Sequence, residues 1–575
     1  MVVRLRKVIE GALGRRATKA IAGMKHRFVT MEGLPDWKVL LGTNRPLWEQ
    51  AARTAANGPK VLIATNVGGH GPVSVVESML GVALTLRGVQ VYTLLCDGML
   101  PGCLKAEISS LPDPGVIERY ELPKVLCPGC VQRGEAVFSP IGTKVIRLSE
   151  LVTPQDLEQA KHLAAGTPAT QIPHFRQDGL AVGEHAHAGA LRYYARGDLS
   201  AESLGEVVLR RYFEASLLTA CAMQRLLKEV HFTAACFHHG LYVPQGIVGE
   251  ACRKCGVRLS NWVVAYRRNT LIFSHGDTYH HTLLSEPATE WEGMAWGNQQ
   301  NAQILDYLKS RWRGTRDWIW FHEKPDEDFD RFIRVSGIDP GKPCIAMLTN
   351  VMWDAQLHYR ANAFSSMLDW VLQTIGYFKG RRDVQLLIRI HPAEIRGTAK
   401  SRQPLTEEIE KFFPQLPRNV FIIPPESPVS TYAAMMHCDC AIIYGTKTGV
   451  ELTSIGIPVI VAGEAWIRNK GITLDASSPE QYFEILDRLP LGRRNSIEIT
   501  RRARKYAYHF FFRRMIPLPF LVPNGGPTAF QIAIEKLDNL LPGNYPGLDV
   551  ICNGILGGTP YIYPAETYGI HDGLN

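Results

Sequence analysis

A chain of 575 residues has room for roughly three to four domain-sized units. With 46% hydrophobic and 21% charged residues its composition is that of an ordinary globular protein rather than a disordered or fibrous one. The net charge of +8 is mild; it suits an anionic small ligand or lipid and, with no basic stripe carrying interleaved aromatics, argues against a nucleic-acid binder.

Residues 1–30 set Arg4, Arg6, Lys7, Arg15, Arg16, Lys19, Lys25 and Arg27 against the single acid Glu10, with Val3, Val8, Ile9, Leu13, Ala17 and Ile21 as an apolar side. Two readings stay open: a basic amphipathic helix on an anionic membrane surface, or a solvated leader. This start lacks the apolar core of a secretion signal, and no run in the chain is long enough to span a bilayer. Twelve cysteines in that setting read as free or metal-bound thiols of a reducing cytosol.

Val61 to Thr65 is the first strand, running into Asn66-Val67-Gly68-Gly69-His70-Gly71-Pro72. A helix from about Val73 to Leu86 and a second strand, Val89 to Leu95, complete a βαβ start. His70 then stands at a strand's carboxyl end. The spacing GGHG is not a dinucleotide fingerprint. The second strand ends at Cys96-Asp97-Gly98, again at a carboxyl edge.

The segment LCPGCVQRG has the form of a zinc knuckle, and EACRKCG supplies a second C-x-x-C in Cys252 and Cys255. The pairs lie far apart in sequence. Structural zinc on Cys103, Cys127 and Cys130 is one reading; buried thiols are the other. Residues 151–227 are mostly helical, with Glu184, His185 and His187 in a loop that reads either as a set of metal ligands or, in preference, as solvated polar surface. The strand Thr233 to Phe237 ends at His238-His239-Gly240. The apolar piece Thr270 to Phe273 ends in SHGDTYHH, which crowds His275, Asp277, His280 and His281 beside a buried strand. Residues 286–337, rich in tryptophan and charge, read as a connection.

A second βα series starts at Pro343. The stretch VQLLIRIHPAEIRG is an apolar strand ending at His391-Pro392-Ala393-Glu394, where the proline holds His391 extended at the crevice. Then comes AIIYGTKTGVELTSIGIPVIVAG, residues 441–463: a buried strand, a turn of small and hydroxyl residues, a helix with Val450, Leu452 and Ile455 apolar, a stop at Gly456, and the β-branched strand Val459 to Val461. The positive end of that helix, with Thr446, Lys447 and Thr448 and with Gly449 admitting a ligand to the backbone, suits a phosphate or diphosphate. Glu451 beside a phosphate is electrostatically wrong, so it is expected to accept hydrogen bonds from a ribose.

The hydroxyl-x-hydroxyl-Gly-x-Glu pattern resembles the donor-nucleotide loop of GT-B glycosyltransferases. The strand-terminal HP pair resembles the one that binds nucleotide phosphate in bacterial sialic-acid and Kdo transferases. With GGHGP, CDG, HHGLYVPQG and SHGDTYHH in front, residues 60 to 480 resemble the capsule polysaccharide biosynthesis family. That resemblance implies an α/β, GT-B-like fold: two Rossmann-like doubly wound domains facing a cleft, with a C-terminal closing helix at residues 497–519. The expected division is a basic extension at 1–55, an acceptor domain at 56–337, a donor-nucleotide domain at 338–490, and the closing helix with an irregular tail at 491–575.

The activity implied is transfer of a sugar from a CMP- or UDP-linked donor to a capsule or lipopolysaccharide-type acceptor, in the cytoplasm or at the inner face of the membrane. No metal is then required. His391 and Pro392, with Glu394 nearby, Thr446, Lys447, Thr448 and Gly449 would hold the phosphates, and Glu451 the ribose. Asp277 is the preferred base or nucleophile, with His70, His275 and Asp97 as the other candidates. A non-catalytic nucleotide-binding scaffold of glycan assembly and a nucleotide-sugar epimerase or hydrolase are the alternatives.

Overall fold

The computed structural model describes residues 33–318, 325–354, 362–397, 399–524 and 529–570. The amphipathic reading of residues 1–30 lies outside the described residues. The chain packs as two compact units. The first holds the described residues up to Tyr193, with Ser200–Asn261 and Phe520–Thr559; the second holds Tyr194–Leu199, Trp262–Pro519 and the described residues from Pro560 on.

The strands of the first unit are β1 Lys60–Asn66, β2 Gln90–Leu95, β3 Lys144–Arg147, β4 Ala234–His238 and β5 Arg258–Val264, the last running across the unit boundary. They lie in the order β5-β4-β1-β2-β3, with β1 parallel to β2 and β4, and β2 parallel to β3. The interior residues of β1 and β4 are buried on both faces, which is why each reads as an unbroken apolar run rather than an alternating one. Helix Gly71–Thr85 starts with Pro72 in its first turn, where the missing N–H is harmless, and Gly88 turns the chain back at φ +77°. The helix-to-strand path from β1 passes to β2 on one side while β4 lies on the other. The carboxyl ends of β1 and β4 therefore form the point where the strand order reverses.

In the second unit, β6 Thr270–His275 pairs antiparallel with a short strand at Ile516–Pro517. A separate sheet is built from β7 Cys344–Leu348, β8 Gln385–Arg389, β9 Val420–Ile423, β10 Cys440–Ile443, β11 Val459–Val461 and β12 Leu474–Asp475. Its order is β12-β11-β10-β7-β8-β9, parallel throughout. Both units thus repeat one doubly wound order, with the crevice of the second between β7 and β10. Two Rossmann-like units of a mixed α/β chain are as expected.

The unit boundaries differ from the sequence division. The described residues of the stretch taken as a connection, 286–337, belong to the second unit. Helix Asn298–Trp312 buries Ile304, Tyr307, Leu308 and Arg311 at helical spacing and packs on helix Ile497–Tyr508. The tail also divides: residues through Pro519 pack in the second unit and Phe520–Thr559 in the first. In the tract expected as the closing helix, 497–519, Tyr506, Phe510, Phe511 and Phe512 are all fully buried. His509 and Arg514 in that tract reach Glu286 at 3.0 and 3.2 Å. Glu184, His185 and His187, expected in a loop, stand on helix Val182–Tyr194. No described helix is long and apolar enough to cross a membrane.

Candidate functional site

A cavity of about 160 Å³ opens at the reversal point of the second unit. Leu348 ends β7 and Thr349 follows it, Arg389, His391 and Pro392 stand at the end of β8, and Thr446 to Thr448 follow β10; each lines the cavity. Parallel strands bring their carboxyl ends to one edge, so residues distant in sequence converge there. Thr349 Oγ1 accepts the backbone N–H of His391 at 3.2 Å, tying the ends of β7 and β8 together. Thr446 and Thr448 hydroxyls lie 3.1 Å apart, and the Thr448 N–H donates to Thr446 Oγ1 at 3.3 Å.

His391 is neutral here. Burial, then the charges of Lys447 and Arg389, push its pKa down to about 4. Its Nδ1 accepts the Ala393 N–H at 3.1 Å, so the single ring proton sits on Nε2 as a donor. Arg389 ends β8 almost fully buried, donating to the carbonyls of Pro424 at 2.6 Å and Ser427 at 3.4 Å. Burial lowers its pKa to about 10, which still leaves it charged at neutral pH. Lys447 lies 4.7 Å over the Tyr266 ring, its pKa lowered by burial and then by Arg311.

Arg311 and Asp317, both from the supposed connection, complete the wall. Arg311 pairs with Asp317 through Nη1 and with Glu451 through Nε at 3.0 Å. Tyr307 donates to Asp317 at 2.7 Å, and Tyr432 donates to Glu451 Oε2. Trp312 and Tyr432 stack at 5.4 Å with an 18° interplanar angle on the cavity wall. The lining carries Arg311, Arg389 and Lys447 against the single carboxylate of Asp317, and that carboxylate is already matched by Arg311. An anionic ligand is what this charge balance favours.

His391, Pro392, Thr446, Lys447 and Thr448 line the cavity as expected. Three residues expected with them do not. Gly449 is buried, and a Cβ there would meet Ile443 Cδ1 at 2.6 Å. The glycine lets helix Thr448–Ser454 sit close on β10; it does not bare backbone to a ligand. Glu394 turns inward and accepts the Leu405 N–H at 3.3 Å, with burial raising its pKa to about 7. Glu451 stands behind the wall, its oxygens taken by Arg311, Tyr432 and Lys447. Its role in this arrangement is to hold the cations that face the cavity. The helix that follows the loop has only 7 residues, so the side-chain cations outweigh its dipole.

The candidate bases are scattered. Asp277 stands two residues before the short helix Tyr279–Ser285: Oδ1 accepts the Thr278 N–H at 2.7 Å and Oδ2 lies 2.9 Å from His281 Nδ1. Its side chain is 37% exposed, and it does not line the cavity. His275 stacks on Tyr561 at 4.2 Å. Asp97, in the first unit, accepts from the Ser149 N–H at 3.2 Å and from its hydroxyl, which anchors the turn Leu148–Leu151. His70, also in the first unit, stands at the reversal point with its ring 5.4 Å from that of His238. Burial, then Lys105 and Arg192, lower its pKa to about 3, which leaves it neutral.

Cys96, Cys103, Cys127 and Cys130 line one small cavity of the first unit, about 20 Å³. Among the described residues no three His, Cys, Asp or Glu side chains are grouped to hold a metal ion as they stand. Cys252 is buried in its helix and Cys255 exposed beyond it.

Sequence reasoning missed Arg311, Asp317, Arg389 and Tyr432. Arg389 carried a signal, being a charge inside an apolar strand. Arg311 and Asp317 carried none, since only packing brings them to Glu451.

No protein-family model matches this chain, and no curated protein matches it. Among solved structures it is similar to a β-Kdo 2,4 transferase, KpsC of Thermosulfurimonas dismutans, at 14% identity over 48% of this chain and 79% of that one, with a TM-score of 0.31. It is also similar to UDP-GlcNAc 2-epimerase of Neisseria meningitidis bound to UDP-GlcNAc, at 12% identity, 78% and 94% coverage and a TM-score of 0.21. A third similar structure is the calicheamicin glycosyltransferase CalG4, at 12% identity, 79% and 94% coverage and a TM-score of 0.22. At these values no residue role passes from those proteins to this one.

Proposed function

We propose that the second unit binds a nucleotide-activated sugar and that the protein transfers the sugar to a surface glycan of capsule or lipopolysaccharide type. The observation that carries this reading is the cavity at the β7/β10 reversal point, with Arg311, Arg389 and Lys447 facing it beside Thr349, Thr446, Thr448 and neutral His391. A diphosphate meets Arg389, the cations of Arg311 and Lys447 that Asp317 and Glu451 partly offset, hydroxyl donors and the Nε2–H of His391. The stacked Trp312 and Tyr432 offer an apolar wall for the base. Charge grows on the leaving phosphate as the glycosidic bond breaks, so donors fixed around it beforehand lower the barrier. Asp277, held by His281 and the Thr278 N–H, is the proposed base or nucleophile.

A thermal-shift screen of the full chain with CMP, UDP, GDP and CDP tests the reading. A ligand that binds only the native state stabilises it by about 2.7 kcal/mol at a hundred times its Kd. One of these nucleotides is expected to raise the melting temperature. Lys447→Ala should weaken its binding about ten- to hundredfold, the scale of a lost hydrogen bond to a charged group. Asp277→Asn should keep nucleotide binding and lose about a hundredfold or more in turnover. If none of the four nucleotides shifts the transition, the donor site is not there; full turnover in Asp277→Asn would remove that residue from the chemistry.

A further inference from the structure

The loop after β2 and the start of helix Cys127–Phe138 bring Cys96, Cys103, Cys127 and Cys130 to one void at the carboxyl edge of the first sheet. We propose that these four thiols form a structural site for a single soft divalent cation, zinc by preference, which pins the loop carrying His70.

One backbone N–H already faces a sulphur of this group. The Gly69 N–H donates to Cys130 Sγ at 3.0 Å. Such N–H donors satisfy metal-bound thiolates and orient them. Two glycines make the approach possible. Gly98 sits at φ +95°, and a Cβ there would lie 3.1 Å from Cys127 Cβ; a Cβ at Gly69 would lie 3.1 Å from Cys130 Sγ.

The void of about 20 Å³ accommodates a body the size of one water molecule, which matches one ion and is too small for an iron–sulphur cluster. The four sulphurs do not yet stand in a coordination shell. Each has one free torsion, about its Cα–Cβ bond, and closure asks the sulphurs to turn inward to Zn–S distances of about 2.3 Å. The step balances: four S–H bonds break, four S–metal bonds form, four protons leave, and nothing is oxidised or reduced. The consequence reaches the neighbouring turn, because Gly69 is bonded to Cys130 and His70 follows it at the start of helix Gly71–Thr85.

The test uses the full chain purified without chelator. Elemental analysis should find about one equivalent of zinc. After metal removal, cobalt(II) alone is titrated in. Thiolate-to-cobalt charge-transfer bands with tetrahedral d–d absorption, saturating at one equivalent, are the expected result. Cys103→Ser and Cys127→Ser should each weaken cobalt binding at least about tenfold, and the exposed Cys255→Ser should leave it unchanged. Should a serine variant fail to fold, the wild-type titration decides alone. Absence of thiolate bands, iron with sulphide in place of zinc, or recovery of the four cysteines as disulfides would each overturn the proposal.

Discussion

Replacing Arg311 by methionine removes the cation that two buried carboxylates share. The side chains of Arg311, Glu451 and Asp317 are 4%, 3% and 6% exposed. Removing one partner of a buried pair leaves an uncompensated charge and costs about 3–5 kcal/mol. At about 2–4 °C per kcal/mol for a unit of this size, the second unit should melt roughly 10 °C lower. The loss should also depend on pH. Burial pushes the Glu451 carboxyl up, but Arg311, then Lys447 and the Tyr432 hydroxyl, outweigh it and hold the folded pKa below the ordinary carboxylate value. A depressed carboxyl contributes stability above its unfolded pKa and loses it as pH falls through the folded value. Without Arg311 burial dominates, the folded pKa rises, and Glu451 destabilises the variant increasingly as pH climbs past the unfolded value. The gap between wild type and Arg311→Met is therefore widest near neutrality and narrows toward pH 4. Melting followed by calorimetry between pH 4 and 8 measures it. The double variant with Glu451→Gln should recover part of the loss, since the stranded charge goes with it. A gap below about 1 kcal/mol at neutral pH, or one that does not change with pH, would refute the account of this network.

Two further outcomes follow from the same cavity. The His391 ring, with its pKa near 4, should show no ionisation by NMR between pH 8 and about 5.5, and a midpoint close to 6.5 would mean that it is not held neutral. Gly449→Ala should destabilise the second unit by about 1–3 kcal/mol, the cost of overpacking against Ile443, with nucleotide affinity at the melting-corrected temperature unchanged; a selective loss of affinity would return Gly449 to the ligand.

What the sequence determined by itself was the strands and their ends. An apolar run that stops at Gly, His or hydroxyl residues marks a buried parallel strand meeting a crevice, and this holds for Asn66 to His70, Thr349, His391 and Thr446 alike. The reason is local: burial on both faces demands unbroken apolar side chains, and chemistry gathers where burial ends. Tertiary structure alone decided which neighbours those ends acquire. Arg311 and Glu451 are separated by 140 positions, and their pairing exists only because helix Asn298–Trp312 packs inside the second unit. The same packing sets Glu451 against Arg311 and Gly449 against Ile443. Side-chain direction decides between lining a cavity and bracing its wall, and direction is set by contacts distant in sequence. Cys96 and Cys103 likewise meet Cys127 and Cys130 because β2 ends and helix Cys127–Phe138 begins at one edge of the sheet, a fact of strand order that spacing does not encode.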